Sequence, residues 1–86
     1  MVKEILWTHR FEEKLKKIKN KKVKRHIKKE IEKIIENPTV GKPLRFSRKG
    51  ERTIRAGSFR LIYAINKEAL VLLDFDHRKK VYRVNK

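Results

Sequence analysis

Apolar residues recur with two different periods along this chain, and the change of period divides it into a helical part and a β-rich part. Residues 2–8 alternate loosely and predict a first strand. Apolar positions three and four apart then predict two helices; their apolar stripes are Phe11, Leu15 and Ile18, followed by Val23, Ile27, Ile31, Ile34 and Ile35. Thr8 is placed to cap the first helix, and the second should end at Asn37 because Pro38 disfavours helical backbone in the residue before it. The aromatic side chains expected in the core are Trp7, Phe11 and Phe75.

The second half of the chain predicts three strands joined by short turns. Residues 38–50 hold prolines and glycines that indicate an irregular connection. The strand patterns that follow cover residues 52–56, 59–66 and 69–76. Gly57 and Ser58 fit a two-residue type II′ turn, since glycine accepts a positive φ at its first position. The order β-α-α-β-β-β predicts an α+β fold, in which a small antiparallel sheet carries the N-terminal helical hairpin on one face. At 86 residues, the chain is expected to form a single domain over residues 1–86.

The charge of the chain indicates a polyanionic partner. Its 26 lysines and arginines against 10 acidic residues give a formal net charge of +16, which is extreme for this size. The basic residues occur along the whole chain, so we expect basic surfaces on a folded domain rather than a charged tail. The chain has no cysteine, which excludes disulfides and thiol chemistry. No apolar run approaches the roughly 20 residues of a membrane span, and the N-terminus lacks a signal-peptide core. We therefore expect a soluble, cytoplasmic protein with no membrane partner.

Side chains that bind phosphate and transfer protons lie around the predicted sheet. Arg55 and Arg60 flank the predicted turn, where their planar guanidinium groups could converge on one phosphate. His77 and Arg78 follow the last strand, and imidazole suits proton transfer near neutral pH. Tyr82 can stack on a base or help to position a proton. Metal-free RNA cleavage needs these functions, because the 2′-hydroxyl loses a proton, the 5′-oxygen gains one and the phosphorane charge must be stabilised.

Each of these residues also has an ordinary structural interpretation. Arg55 and Arg60 could be solvated residues of a basic surface, and a histidine at a strand end is often a surface or hydrogen-bonded residue. Tyr82 could be an aromatic residue of the core or its rim. Asp74 and Asp76 share a face, but a two-metal nuclease needs more acidic ligands than this pair. We therefore expect neither a metal site nor a cofactor.

The sequence between Gly50 and Tyr63, with a second segment near the C-terminus, resembles the RelE/ParE toxin superfamily. The matching residues are Gly50, Arg55, Gly57, Phe59, Arg60, Leu61, Ile62 and Tyr63, and then His77, Arg78, Val81 and Tyr82. The order of predicted elements agrees over nearly the whole chain. The resemblance implies the toxin of a type II toxin–antitoxin module, a metal-independent endoribonuclease that cleaves ribosome-bound mRNA and so inhibits translation. It implies, as partners, a cognate acidic RelB-like antitoxin, the ribosome and mRNA, with a toxin–antitoxin heterotetramer as the assembly.

The resemblance also implies a role for each candidate residue. Arg55 and Arg60 would bind the scissile phosphate and stabilise the phosphorane. His77 would act as general base or acid, Arg78 would assist at the phosphate, and Tyr82 would position the base. Further RNA contacts are expected from Arg45, Arg48, Arg52, Lys79, Lys80 and Arg83.

One position departs from the family pattern and keeps other functions open. A basic residue usually stands two positions before Arg55, but this chain has Thr53 there, and Arg52 points to the other face of the strand. His77 is the expected substitute, with Arg52 or Arg45 as second choices. The alternatives are a ParE-like inhibitor that binds DNA gyrase without catalysis and a degenerate, inactive family member. The presence of His77 and a C-terminal tyrosine favours the ribonuclease, because a purely binding protein needs no such pair.

Overall fold

The computed structural model describes residues 2–77, which form two helices and five strands. Their bounds are β1 Glu4–Trp7, α1 His9–Lys17, α2 Lys21–Glu36, β2 Lys42–Pro43, β3 Glu51–Ala56, β4 Phe59–Asn66 and β5 Ala69–His77. A 3₁₀ turn, Phe46–Arg48, lies between β2 and β3. The candidate residues outside the described range are Arg78, Lys79, Lys80, Tyr82 and Arg83.

Both helices begin at side chains that cap them. The Thr8 hydroxyl oxygen accepts a hydrogen bond from the Phe11 N–H at 3.3 Å and donates to the Leu72 carbonyl oxygen at 2.7 Å, so the same residue ties the start of α1 to β5. Asn20 caps α2 in the same way, and Asn37 ends that helix as the following proline predicts. Within residues 2–77, neither helix has the length and apolar character needed to cross a membrane.

The sheet is mixed, which corrects the prediction of an antiparallel sheet. Its strand order is β1-β5-β4-β3-β2. The three consecutive pairs from β2 to β5 are antiparallel, but β1 pairs with β5 in parallel, from Glu4 opposite Ala69 to Trp7 opposite Leu72. A tight turn forces neighbouring strands to run antiparallel. The chain passes from β1 through two helices before it returns to the sheet, so no turn sets the direction of β1.

The connection after α2 is more regular than the sequence predicts. Its two-residue strand β2 pairs with β3, and the Leu44 N–H donates to the Glu51 carbonyl oxygen at 2.9 Å. Pro43 is tolerated because β2 is an edge strand, where an amide proton is not needed on the outer side. Residues 38–50 are therefore ordered against the sheet edge rather than irregular throughout.

The core lies between the helices and one face of the sheet, as predicted. The buried residues that form it are Phe11, Ile27, Ile31 and Ile34 from the helices and Ala56, Leu61, Tyr63, Leu70, Leu72 and Phe75 from the strands. Phe11 and Phe75 pack edge to face with ring centroids 4.9 Å apart. The expectation for Trp7 is wrong, because this residue is 43% exposed on the edge strand β1, where its ring packs edge to face with Phe11 at 5.7 Å between centroids.

Candidate functional site

The strand register divides the side chains of β3, β4 and β5 between two faces of the sheet. Leu61 lies opposite Ile54 on one side and Phe75 on the other, and all three belong to the face that packs on the helices. Side chains alternate along a strand, so the neighbouring residues point to the other side. We name that second side the open face, in contrast to the face on which the helices pack; Thr53, Ile62 and Asp74 are nevertheless buried on it.

Three charged residues form a row across the open face. Arg55 of β3 lies directly opposite Arg60 of β4, and Arg60 lies directly opposite Asp76 of β5. Directly opposed residues have Cβ atoms about 5 Å apart, so both guanidinium groups are within reach of one phosphate. Two like charges in this position destabilise a sheet. An anion between Arg55 and Arg60 would remove that repulsion, which makes the pair a candidate phosphate-binding site.

A lysine from α1 joins the carboxylates beside this row. Lys14 Nζ lies 2.8 Å from Asp74 Oδ1 and 3.0 Å from Asp76 Oδ2. Burial alone would lower the pKa of Lys14, but its hydrogen bonds to both carboxylates and their negative charge outweigh that effect and raise the pKa above its usual value. Arg10 Nη1 approaches Asp74 at 3.7 Å. Both carboxylates therefore have cationic partners from α1.

His77 does not lie beside the two arginines. It is the last residue of β5 and lies opposite Phe59, with ring centroids 5.8 Å apart. Phe59 packs against the core, so His77 belongs to the helix side of the sheet, and its side chain is exposed there. The predicted strand ended one residue earlier, at Asp76. In the structure β5 includes His77, and because side chains alternate along a strand, the side chain of His77 lies on the opposite face from that of Asp76. The proton-transfer role of His77 stays a prediction.

The remaining candidates among the described residues fall in two places. Thr53 lies on the open face near Arg55, but it is buried and its hydroxyl donates to the Leu61 carbonyl oxygen at 3.0 Å. Arg52 points to the other face, as expected, where its Nη1 donates to the Gly41 carbonyl oxygen at 2.7 Å. This geometry gives Arg52 a structural role at the sheet edge rather than a place beside Arg55.

Arg45 and Arg48 lie in the loop between β2 and β3. Arg45 is exposed, and Arg48 Nε lies 3.5 Å from Glu51 Oε1. Both residues are separated from Arg55 by the length of β3. Within residues 2–77, no group of three histidine or acidic side chains is placed to hold a metal ion.

The model of a known protein family matches nearly the whole chain. The model of the family described as "ParE toxin of type II toxin-antitoxin system, parDE" matches residues 5–82. The chain belongs to the RelE/ParE superfamily of type II toxins. The resemblance noted in the sequence is thereby confirmed.

One curated relative of known name matches about half of the chain. Toxin RelG of Mycobacterium tuberculosis is 46% identical over 46 residues, which are 51% of this chain and 53% of that protein. The alignment thus spans about half the length of this curated relative.

Solved structures share the fold over nearly the whole chain. A chain of the RelBE2 toxin–antitoxin complex of Mycobacterium tuberculosis is 29% identical with a TM-score of 0.70, covering 91% of this chain and 100% of that one. A chain of the RelB–RelE antitoxin–toxin complex of Methanococcus jannaschii has a TM-score of 0.74 at 21% identity, covering 94% and 99%. The second similarity concerns the fold alone. Together they confirm the RelE-like α+β architecture.

Sequence reasoning missed two residues that lie beside the candidate site. Lys14 and Arg10 lie on the predicted helix, where they read as solvated residues of an amphipathic surface. The signal that could have found them is the pair Asp74 and Asp76, which interrupts an apolar strand and requires cations nearby if it is to be buried. Which helix supplies those cations is decided by the packing of α1 against β5.

Proposed function

We propose that this RelE/ParE toxin is a metal-independent endoribonuclease that cleaves ribosome-bound mRNA and so inhibits translation. The observation that carries the proposal is the directly opposed pair of Arg55 and Arg60 on the open face. A phosphodiester bound between them would have its non-bridging oxygens held by two guanidinium groups. The names of the similar proteins, RelG and RelE, support the same choice.

In the proposed reaction, the 2′-oxygen attacks the adjacent phosphorus and the bond from phosphorus to the 5′-oxygen breaks. A base removes the proton of the 2′-hydroxyl, and an acid protonates the leaving 5′-oxygen. The products are a 2′,3′-cyclic phosphate and a 5′-hydroxyl. Arg55 and Arg60 stabilise the phosphorane charge by interactions that strengthen in the transition state. His77, Arg78 and Tyr82 are the proposed groups for proton transfer and for positioning the base.

Charge supports RNA and the ribosome as partners. The net charge of +16 attracts the phosphate backbone of RNA whatever its sequence. This attraction favours binding to ribosomal RNA as well as to mRNA. The basic residues proposed for further RNA contact are Arg45, Arg48, Lys79, Lys80 and Arg83. Arg52 is left out of this group because its guanidinium is bonded to backbone carbonyl oxygens. A toxin that acts on the ribosome acts in the cytoplasm, so we propose the cytoplasm as its location.

The helical side of the molecule suits a cognate acidic antitoxin. An apolar groove of about 450 Å³ runs between the helices and is lined by Trp7, Leu15, Ile27 and Ile31. Lysines on its rim, such as Lys24, complement an acidic amphipathic helix whose apolar side enters the groove. We propose that such an antitoxin segment binds here and that the complex forms a heterotetramer.

The test is expression in cells with 5′-end mapping of transcripts. Wild type should produce cuts at codon-phased positions, and Arg60→Ala should lose most of them while its circular dichroism and unfolding midpoint stay near those of wild type. Arg25→Ala provides a matched control, because it removes one exposed arginine of α2 that does not belong to the opposed pair. A folded Arg60→Ala variant that cuts like wild type would contradict the assignment.

The same mapping with His77→Ala decides the proton chemistry. Loss of the cuts would give His77 a role despite its position on the helix side of the sheet. Cuts that persist would move the proton transfer to the arginines or to Tyr82.

The description of the matching family favours one second candidate, a ParE-like inhibitor of DNA gyrase. Such a protein acts by binding and needs no cleavage chemistry. Growth arrest with intact transcripts, together with inhibition of gyrase supercoiling by the purified chain, would support this alternative. The absence of both effects would indicate an inactive family member.

A further inference from the structure

Phe46 is exposed to an extent that is unusual for an aromatic residue. Its side chain is 91% exposed, whereas the other exposed large hydrophobic residues among residues 2–77, Leu6, Trp7 and Val40, are 42–44% exposed. A phenyl ring in water contributes nothing to the core and raises the risk of association. Packing within the described chain therefore does not explain why phenylalanine stands at this position.

The loop that carries Phe46 holds it in a defined position. Leu44 and Glu51 close the loop with a backbone hydrogen bond of 2.9 Å, and the Lys49 N–H donates to the Phe46 carbonyl oxygen at 3.0 Å. Phe46 itself has φ of 59°, the left-handed conformation that favours glycine. The left-handed backbone at Phe46 is energetically unfavourable for a residue with a side chain, and it occurs in a closed loop whose phenyl ring is exposed.

The charged residues around the Phe46 ring indicate the chemical class of the partner that it binds. Arg45 and Lys49 beside it are exposed, and Arg48 completes a shallow cavity of about 230 Å³ with Leu44 and Phe46. A protein-docking site would need a contiguous apolar patch. A single ring among cations fits a single-stranded nucleic acid, since every base has a face that stacks and every phosphate has a negative charge.

The position of the loop connects it to the arginine pair. β3 begins at Glu51, next to the loop, and carries Arg55 four residues later. At a rise of about 3.3 Å per residue, these two points lie roughly 13 Å apart along the sheet. A strand of RNA bound at the arginine pair can reach the loop within a few nucleotides.

We propose that Phe46 is a base-stacking platform for a nucleotide that flanks the one cleaved. The RNA backbone runs from the Arg55–Arg60 pair along β3 to the loop, where a base stacks on the ring and Arg45 and Lys49 bind the adjacent phosphates. This inference rests on the proposed ribonuclease function. It adds a contact that holds the RNA in position and discriminates between bases at one flanking nucleotide. It predicts a preference at one flanking nucleotide, larger for purines, whose stacking surface is larger.

The experiment measures binding of a short fluorescent 2′-O-methyl RNA, which cannot be cleaved at its 2′-oxygen. Phe46→Ala should weaken binding about 5- to 100-fold, as expected for the loss of one base–aromatic stack. Phe46→Trp should bind at least as tightly as wild type, and Phe46→Leu should be nearly as weak as Phe46→Ala. Val40→Ala is the matched control, because it removes another exposed hydrophobic side chain and should leave binding unchanged. Thermal unfolding should be unaffected in Phe46→Ala, since the ring is outside the core.

The outcomes separate this inference from the function on which it rests. If Arg60→Ala weakens RNA binding but Phe46→Ala does not, stacking is refuted and the ribonuclease proposal stands. Equal affinities of Phe46→Leu and wild type would also refute stacking, because they would show a simple apolar contact. If the wild-type chain does not bind the RNA and does not cut transcripts, both proposals fail together.

Discussion

The hydroxyl of Tyr63 joins the chain after α2 to the middle of the sheet. It accepts a hydrogen bond from the Gly41 N–H and donates one to the Pro38 carbonyl oxygen, both at 2.9 Å, and its side chain is fully buried. Burial raises the pKa of Tyr63, although the Gly41 N–H and the charge of Arg52 act in the opposite direction. The folded protein therefore holds this proton to a higher pH than the unfolded chain does.

Replacement of Tyr63 by Phe should lower the free energy of unfolding by roughly 1–3 kcal/mol at neutral pH, because two buried backbone groups lose their partner. The raised pKa means that the hydroxyl contributes fully below about pH 10 and loses its contribution as the pH rises through the folded value. The difference between wild type and Tyr63→Phe should thus be constant up to about pH 10 and shrink above it. Urea unfolding between neutral and alkaline pH measures this.

Thr53→Val is the matched control for that series. It removes a buried hydroxyl that donates to the Leu61 carbonyl oxygen but does not titrate in this range. The decrease in the free energy of unfolding that Thr53→Val causes should not depend on pH. A Tyr63→Phe difference that grows above pH 10 would contradict the assigned direction of the pKa shift.

The turn between β3 and β4 is the element that places both arginines of the site. Gly57 has φ of 64°, as predicted for its position in the turn, and a Cβ atom there would lie 2.8 Å from His26 Nδ1 on α2. The hairpin therefore approaches α2 more closely than a side chain at this position allows. Arg55 and Arg60, on either side of the turn, are held by this contact as well as by the strand pairing.

Gly57→Ala should destabilise the protein through two effects, the left-handed backbone and the contact with His26. The backbone effect is about 1–2 kcal/mol for a residue with a Cβ atom. In a His26→Ala background, the same substitution should cost less, because only the backbone effect remains. Denaturant unfolding of the four proteins of this cycle gives the coupling between the two positions.

Gly50→Ala serves as the control in both backgrounds. Gly50 also has a positive φ, 96°, but a Cβ atom there would meet nothing within 4 Å. Its cost should be the same with and without His26. An identical cost of Gly57→Ala in the two backgrounds would show that α2 places no constraint on the turn.

At the scale of the whole molecule, repulsion between like charges opposes folding. A net charge of +16 on a chain of 86 residues leaves most cations without an acidic partner. Several of the ion pairs present, such as that of Lys3 with Glu68, are largely exposed and contribute little. The same charge that favours binding of RNA thus lowers the stability of the free protein.

Added salt should therefore stabilise the free protein and weaken its binding of RNA. Screening shortens the Debye length from about 30 Å at 0.01 M to about 3 Å at 1 M, which reduces the net repulsion in the folded state. The melting temperature should rise with sodium chloride over this range, while the RNA dissociation constant rises with it. A melting temperature that falls with salt would show that attractive ion pairs outweigh the repulsion.

The helices, the long strands and the local part of the candidate site follow from residues that are close together in the chain. The period of the apolar residues identifies both helices and the three long strands, and β4 has the predicted bounds. Thr8 and Asn37 mark helix ends because capping depends on neighbours in the chain. The opposed pair of Arg55 and Arg60 follows from a two-residue turn, since such a turn sets the register of both strands.

Four features appear only in the folded structure: the direction of β1, the exposure of Trp7, the face of His77, and the partners of Asp74 and Asp76. Each of these depends on contacts between distant parts of the chain; Lys14 and Asp76, for example, are 62 positions apart. The periodicity of apolar residues shows which residues share one side of a helix or strand. It does not show which other helix or strand packs against that side. That choice is made by packing, and it is packing that brings α1 to the carboxylates beside the arginine pair.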